Sequence, residues 1–237
     1  FKDRWICVFR EGRGHVSTDG ALRVIASRDG KSWESLALIK SDGLDLRDPK
    51  ITITPKGELM MTGAAAHRKE DRQTGVDHDS MVWFSKDGIS WSDPVKIGDP
   101  NYWLWRATWH KKQVLMVGYP TGKGGTGATR LYSSTDGRTF STLVPELVKE
   151  GYPNESTIVF QKDGTALCLT RRDTKGFHGL IGKSRPPYKE WEWIDVGARV
   201  GGPNFVVLPD GRWIGVVRLY DGRTRTSVVE FFPSGGM

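Results

Sequence analysis

Short runs of apolar and β-branched residues recur along the whole chain, and glycine-bearing turns separate them. Ile51-Thr52-Ile53-Thr54 and Leu59-Met60-Met61 flank Pro55-Lys56-Gly57. Ser156-Thr157-Ile158-Val159-Phe160 and Ala166-Leu167-Cys168-Leu169 flank Asp163-Gly164, and Phe205-Val206-Val207-Leu208 and Trp213-Ile214-Gly215-Val216-Val217 flank Asp210-Gly211. Runs this short and this rich in β-branched and aromatic side chains predict strands, and the turns between them predict hairpins. Trp105-Arg106-Ala107-Thr108-Trp109 with Val114-Leu115-Met116-Val117 is expected to be a fourth strand pair. No stretch carries a convincing helical period.

A second pattern is laid over the first. Ser27-Arg28-Asp29-Gly30-Lys31-Ser32-Trp33 returns as Ser85-Lys86-Asp87-Gly88-Ile89-Ser90-Trp91 and as Ser134-Thr135-Asp136-Gly137-Arg138-Thr139-Phe140. The copies lie roughly 50 to 60 residues apart, the period of an architecture built from one supersecondary unit per copy. Ser and Asp can bind local backbone amides, and Gly supplies a positive φ. Trp33, Trp91 and Phe140 are expected to pack under their turns, largely buried. The boxes should lie on the outer rim.

Together the patterns give a unit of strand, turn, strand, loop, strand, boxed turn and strand. That is a four-stranded antiparallel blade, so the fold class is all-β and the architecture a β-propeller. About five blades are visible in one domain over residues 1–237, with the outer two incomplete. Phe1-Lys2-Asp3-Arg4-Trp5 reads as the turn after a missing first strand. Ser227-Val228-Val229-Glu230-Phe231-Phe232 reads as a third strand with nothing after it. Either the ends meet in a five-bladed ring, or the chain is part of a larger, six-bladed propeller.

Composition narrows the function less than the fold. The 237 residues carry a net charge of +7, spread without a basic block, so nucleic acid is not an expected partner. No run is long and apolar enough for a helical membrane span. Cys7 and Cys168 lie in separate strand-like runs and are expected to be buried free thiols. The histidines, among them His15, His67, His78 and His178, show no metal-ligand spacing, so no metal or other cofactor is expected. Gly122-Lys123-Gly124-Gly125-Thr126-Gly127 lacks the ending of a phosphate loop and reads as a flexible loop.

Aligning the repeats on their hairpin turns puts Asp48 and Glu155 at one position. It puts Arg10, Ala64, Tyr119, Arg171 and Arg218 at another, the end of the second strand. Polar residues recurring in otherwise apolar strands point to a shared face. Arginine offers a planar fork for a carboxylate, so the set suits an acidic ligand. The alternative is that these arginines pair with carboxylates of neighbouring blades and merely hold the ring. Arg106 joins the substrate-binding candidates. Tyr102 and Trp103 precede a strand and could stack on a sugar ring.

These motifs resemble the sialidases (neuraminidases) and their Asp-box relatives, in which the repeated Ser-x-Asp-x-Gly-x-x-Trp turn is typical. Phe9-Arg10-Glu11-Gly12-Arg13 resembles the family's acidic-Gly-Arg segment, which implies that Arg13 is a pocket arginine and Asp19 the general acid/base. Asn154-Glu155-Ser156, followed by Asp163-Gly164 and Arg171, resembles the strand whose glutamate activates a tyrosine nucleophile. The resemblance gives Arg171 or Arg172 a carboxylate-binding role, and a third such arginine would be Arg218, Arg223 or Arg225. An Arg-Ile-Pro-like motif does not occur, the resemblance puts the nucleophilic tyrosine in a further blade beyond these residues, and Tyr220 lies in a plausible loop whose context, Leu219-Tyr220-Asp221-Gly222, departs from the family's. The implied function is exo-α-sialidase-type hydrolysis of sialylated or otherwise acidic glycans, with no cofactor; the compartment stays open, an extracellular or periplasmic setting being slightly favoured over a cytoplasmic one. Arg13, Asp19, Glu155 and Arg171 should then converge on one face. A silent carbohydrate-binding propeller, or another glycosidase or lyase using Glu155, Asp48 and Asp19, are the other readings.

Overall fold

The computed structural model describes residues 1–67, 77–121 and 127–237. Among them there are only strands, turns and loops, in five sheets. The first sheet is β1 (Trp5–Glu11), β2 (Ala21–Ser27) and β3 (Glu34–Ile39). The second is β4 (Leu44–Ile53), β5 (Leu59–His67), β6 (His78–Ser85) and β7 (Val95–Ile97). The third holds β8 (Tyr102–Leu104), β9 (Thr108–His110), β10 (Gln113–Pro120), β11 (Thr129–Ser134) and β12 (Ser141–Val148). The fourth is β13 (Pro153–Phe160), β14 (Ala166–Arg172), β15 (Leu180–Ser184) and β16 (Glu192–Asp195). The fifth is β17 (Val200–Val207), β18 (Trp213–Leu219) and β19 (Arg225–Phe231). They are the blades of a β-propeller, and the first and last have three strands each. Most of the Gly122–Gly127 loop lies outside the described residues.

The chain divides into two compact units, one chiefly Phe1–Val114 with Ser134–Phe140, the other chiefly Leu115–Pro120 with Ser141–Met237. In the first, Leu22, Val24, Leu46, Met61, Ala65, Met81 and Trp83 form a buried cluster. In the second, Leu167, Leu169, Val200, Phe205, Trp213 and Phe231 form another. In β14 alternate side chains enter different clusters, Leu167 and Leu169 this one and Ala166 and Cys168 another, so both faces of such a central strand are covered by apolar packing.

The boxed turns use the chemistry their sequence implies. Ser134 Oγ accepts from Gly137 N (2.9 Å), while Asp136 Oδ1 accepts from Arg138 N (2.7 Å) and Thr139 N (2.8 Å). The Asp29 and Asp87 boxes repeat these bonds residue for residue. Their aromatics are less buried than expected. Trp91 and Phe140 are half-buried, and Trp33 is 43% exposed. Trp91 packs against the first unit's core, whereas Trp33 sits in the turn beside the edge strand β3, where solvent reaches it. Cys7 is also exposed, while Cys168 is buried as expected. β1 is an edge strand whose Trp5, Cys7 and Phe9 face outward and whose Ile6 and Val8 face the core.

The buried Ser134 makes a testable point. Ser134→Ala leaves the Gly137 N–H without its acceptor, and denaturant unfolding should show a loss of about 1–3 kcal/mol. The box carboxyls also set an acid limit. Hydrogen bonds, first from Thr139 N, hold the Asp136 carboxyl down at about 2, and Asp29 and Asp87 are lowered for the same reason. A carboxyl lowered on folding stabilises fully above its unfolded value near 3.8, and the contribution is lost as pH falls through the folded value. The melting temperature should therefore drop between about pH 4 and pH 2. A flat profile across that window would contradict this.

Candidate functional site

The opening strands of four sheets share an interruption. Pairing slips between Arg47 and Lys50 in β4, between Pro153 and Ser156 in β13, and between Gly201 and Asn204 in β17. In the third sheet the expected strand Trp105–Trp109 is broken outright, because 105–107 leave the ladder between β8 and β9. Trp, Thr and Trp are good strand formers, so this break is imposed by the fold. A bulge re-aims the side chain it carries. The interrupted stretches are Asp48-Pro49, Trp105-Arg106-Ala107, Asn154-Glu155 and Gly202-Pro203, which extends the alignment of Asp48 with Glu155 to two more sheets.

In the second unit, Glu155 is fixed from two sides. Its Oε2 accepts from Arg171 Nη1 (2.8 Å) and from Gly202 N (2.8 Å). Arg171 continues to Asp173, with Nε on Oδ1 at 3.0 Å and Nη2 against Oδ2 at 2.9 Å. Asp173 also accepts from Arg199 Nη2 (2.7 Å) and Asn154 Nδ2 (2.9 Å). Burial works against both charges. Even so, Glu155 and then Asp173 hold Arg171 above its ordinary value, and Arg199 and then Arg171 hold Asp173 below the usual carboxylate range. The Arg199 guanidinium lies over the Tyr220 ring, 4.3 Å from its centre. The Tyr220 hydroxyl lies against Gly201, where a Cβ would collide with it. The phenol and the Glu155 carboxylate thus flank adjacent residues. Glu155 Oε1 and the Tyr220 hydroxyl have no hydrogen-bond partner among the described residues, and neither is sealed from solvent.

The other arginines of this unit divide. Arg172 is a clamp: Nε donates to His178 O (2.6 Å), Nη2 to Asp195 (3.2 Å), and the group lies over Phe177. Arg225 is paired with Asp221 (2.6 Å). Arg218 and Arg223 are exposed without side-chain partners among the described residues.

In the first unit the loop after β1 folds over a buried ion cluster. Asp45, 0% exposed, accepts from Arg10 Nε (3.0 Å) and Nη2 (2.7 Å) and from Arg47 Nη1 (3.2 Å). Arg10 also donates to Gly14 O and Ser17 Oγ, and Arg47 to His15 O. A Cβ on Gly20 would collide with the Asp45 carboxylate, so only glycine admits this approach. Arg13 stands out in solvent, 87% exposed, and its Nε donates to Asp19 (3.0 Å). Hydrogen bonds from Ser17 first, then from Arg13, draw the Asp19 carboxyl down to about 2. Asp48 is half-buried at positive φ, and its carbonyl accepts from Lys50 Nζ (2.9 Å). Tyr102 is half-buried and Trp103 buried, with Arg47 lying 5.9 Å from the Trp103 ring centre. Lys50 Nζ sits 3.1 Å from the centre of the Trp105 ring.

The structure thus pairs Arg13 with Asp19 in one unit and Arg171 with Glu155 in the other. Arg10 pairs with Asp45 of the next sheet, whereas Arg171 and Arg172 hold carboxylates of their own sheet. Asp45, Asp173 and Arg199 were not among the sequence candidates. Asp45 with Arg47, and Arg171 with Asp173, are spaced i, i+2, so each pair shares a face. That spacing of opposite charges was the available signal. No group of His, Cys, Asp and Glu among the described residues could hold a metal ion.

No family model matches the chain, and no curated protein matches it. Solved structures do. A protein of unknown function from Dyadobacter fermentans superposes with a TM-score of 0.79 at 20% identity, over 97% of this chain and 76% of that one. A GH43 β-1,3-galactosidase with galactodeoxynojirimycin gives 0.67 at 11%, over 99% and 90%. The Trypanosoma rangeli sialidase, with 2,3-difluorosialic acid as a covalent intermediate, gives 0.70 at 16%, over 94% of this chain and 43% of that one. At these identities the likeness is one of fold.

Proposed function

We propose that this chain carries the site of a retaining exo-glycosidase of sialidase type, which removes a terminal acidic sugar. The observation that carries the reading is the juxtaposition of Glu155 and Tyr220 about Gly201 and Gly202. Arg171 and the Gly202 N–H occupy one carboxylate oxygen and leave the other free to take a proton. The phenol oxygen attacks the anomeric carbon while its proton passes to Glu155 Oε1. The glycosidic C–O bond breaks, and the leaving oxygen takes a proton from an acid. Water then attacks the same carbon and gives a proton to the acid's conjugate base, while the departing phenolate takes its proton back from Glu155, and two inversions give net retention. A neutral phenol suits this substrate, because the sugar's own carboxylate would repel an anionic nucleophile. Solved structures of the same fold include glycoside hydrolases, which supports the reaction class.

Sugar binding without turnover is the second reading, favoured by Asp19, the acid that the family resemblance suggests: hydrogen bonds from Ser17 and Arg13 hold its carboxyl down at about 2 and leave it no proton to give at neutral pH. The direct test is a panel of fluorogenic glycosides. Release from the α-sialoside, with little from the galactoside and the arabinofuranoside, is expected. Turnover of a neutral glycoside alone would overturn the acidic-sugar reading, and binding of sialoside without any turnover would favour the second one.

A further inference from the structure

We propose that Arg106 anchors an anion subsite in the first unit, and that its ligand is the carboxylate of an acidic sugar. Arg106 sits at the strand break between β8 and β9, where the backbone turns a side chain out of the ladder. Its Nε is sealed from solvent and has no hydrogen-bond partner, and no carboxylate reaches the group among the described residues. Its terminal nitrogens are likewise unpaired but are not sealed, so they open onto accessible space.

The other buried or half-buried arginines described in this unit are different. Arg4 has Glu34, Arg10 and Arg47 share Asp45, and Arg23 has Glu11. A desolvated cation without a counter-charge is a net cost to the fold, and a fold keeps one where a ligand supplies the charge. Burial alone also pulls the guanidinium below its ordinary value, which an anion would reverse. The adjoining Trp105 is buried, with Lys50 at 3.1 Å from its ring centre, and Trp103 stands two residues further back. These rings are covered, so it is the planar guanidinium fork that selects a carboxylate.

The inference takes the sugar from the glycosidase reading, but its test needs no turnover. Tryptophan fluorescence and thermal melting are followed with N-acetylneuraminate, its methyl ester and sulfate. Wild type should bind the acid at least about ten times more tightly than the ester or sulfate, as expected for a fork-to-carboxylate contact. Arg106→Met should lose at least about tenfold in affinity for the acid, and Arg106→Lys should also weaken it, since a point charge replaces the fork. The ligand-free Arg106→Met protein should melt no lower than wild type, because an uncompensated buried charge is gone. Equal binding of the ester or of sulfate, wild-type affinity in Arg106→Met, or a clear drop in its ligand-free melting temperature would each overturn the proposal. Intact acid binding without turnover would overturn the hydrolase reading and leave this one standing.

Discussion

Glu155→Gln should lower kcat on a fluorogenic sialoside by about 10²-fold or more, with KM changed much less, as for a lost general base. The substitution keeps the side chain's size and its acceptor for Arg171 and the Gly202 N–H. What disappears is the anionic oxygen that takes the phenol proton. Arg171 would still be held by Asp173, so the network should survive the change. The melting temperature separates the two possibilities: a kcat loss with a near-normal melt fits catalysis, and parallel losses fit a structural role. Undiminished turnover would remove Glu155 from the mechanism.

Asp45→Ala should destabilise the protein by about 3–5 kcal/mol, the range for removing one partner of a buried charge cluster. Asp45 has no exposed side-chain surface and neutralises two arginines that are themselves only 15% and 10% exposed. Without it, Arg10 and Arg47 become like charges with no counter-ion between them. Gly20→Ala is an independent check, since its Cβ would push against the same carboxylate and the Leu46 carbonyl. It should cost about 1–3 kcal/mol or more. A loss below about 1 kcal/mol in both variants would show that water replaces the cluster's contacts.

The features legible in the sequence are those set locally. The boxed turns need only Ser, Asp and Gly at fixed offsets, and the hairpins need only a glycine turn between β-formers. Burial was harder to read. Trp5, Cys7 and Phe9 alternate with Ile6 and Val8, so both faces of β1 are apolar and only tertiary packing decides which is covered. The strand break at Arg106 was hidden for a similar reason, since its neighbours favour strand. At the candidate site, the sequence singled out Glu155, Arg171, Arg13 and Asp19, but not which of them pair. The counter-charges Asp45 and Asp173 were not, because charge pairing across strands requires a register that the sequence does not state. Tyr220 sits in an unfamiliar context in sequence, and only the fold sets its hydroxyl against Gly201, one residue before the Gly202 amide that Glu155 holds.

Covalent trapping with a fluorinated sialic acid tests the central claim most directly. Incubation of the wild-type protein should add the mass of one sugar, and peptide mapping should place it on Tyr220. Tyr220→Phe should take no label, and Glu155→Gln should label far more slowly. A sugar found on Glu155 or Asp19, or the same labelling in Tyr220→Phe as in wild type, would contradict the account.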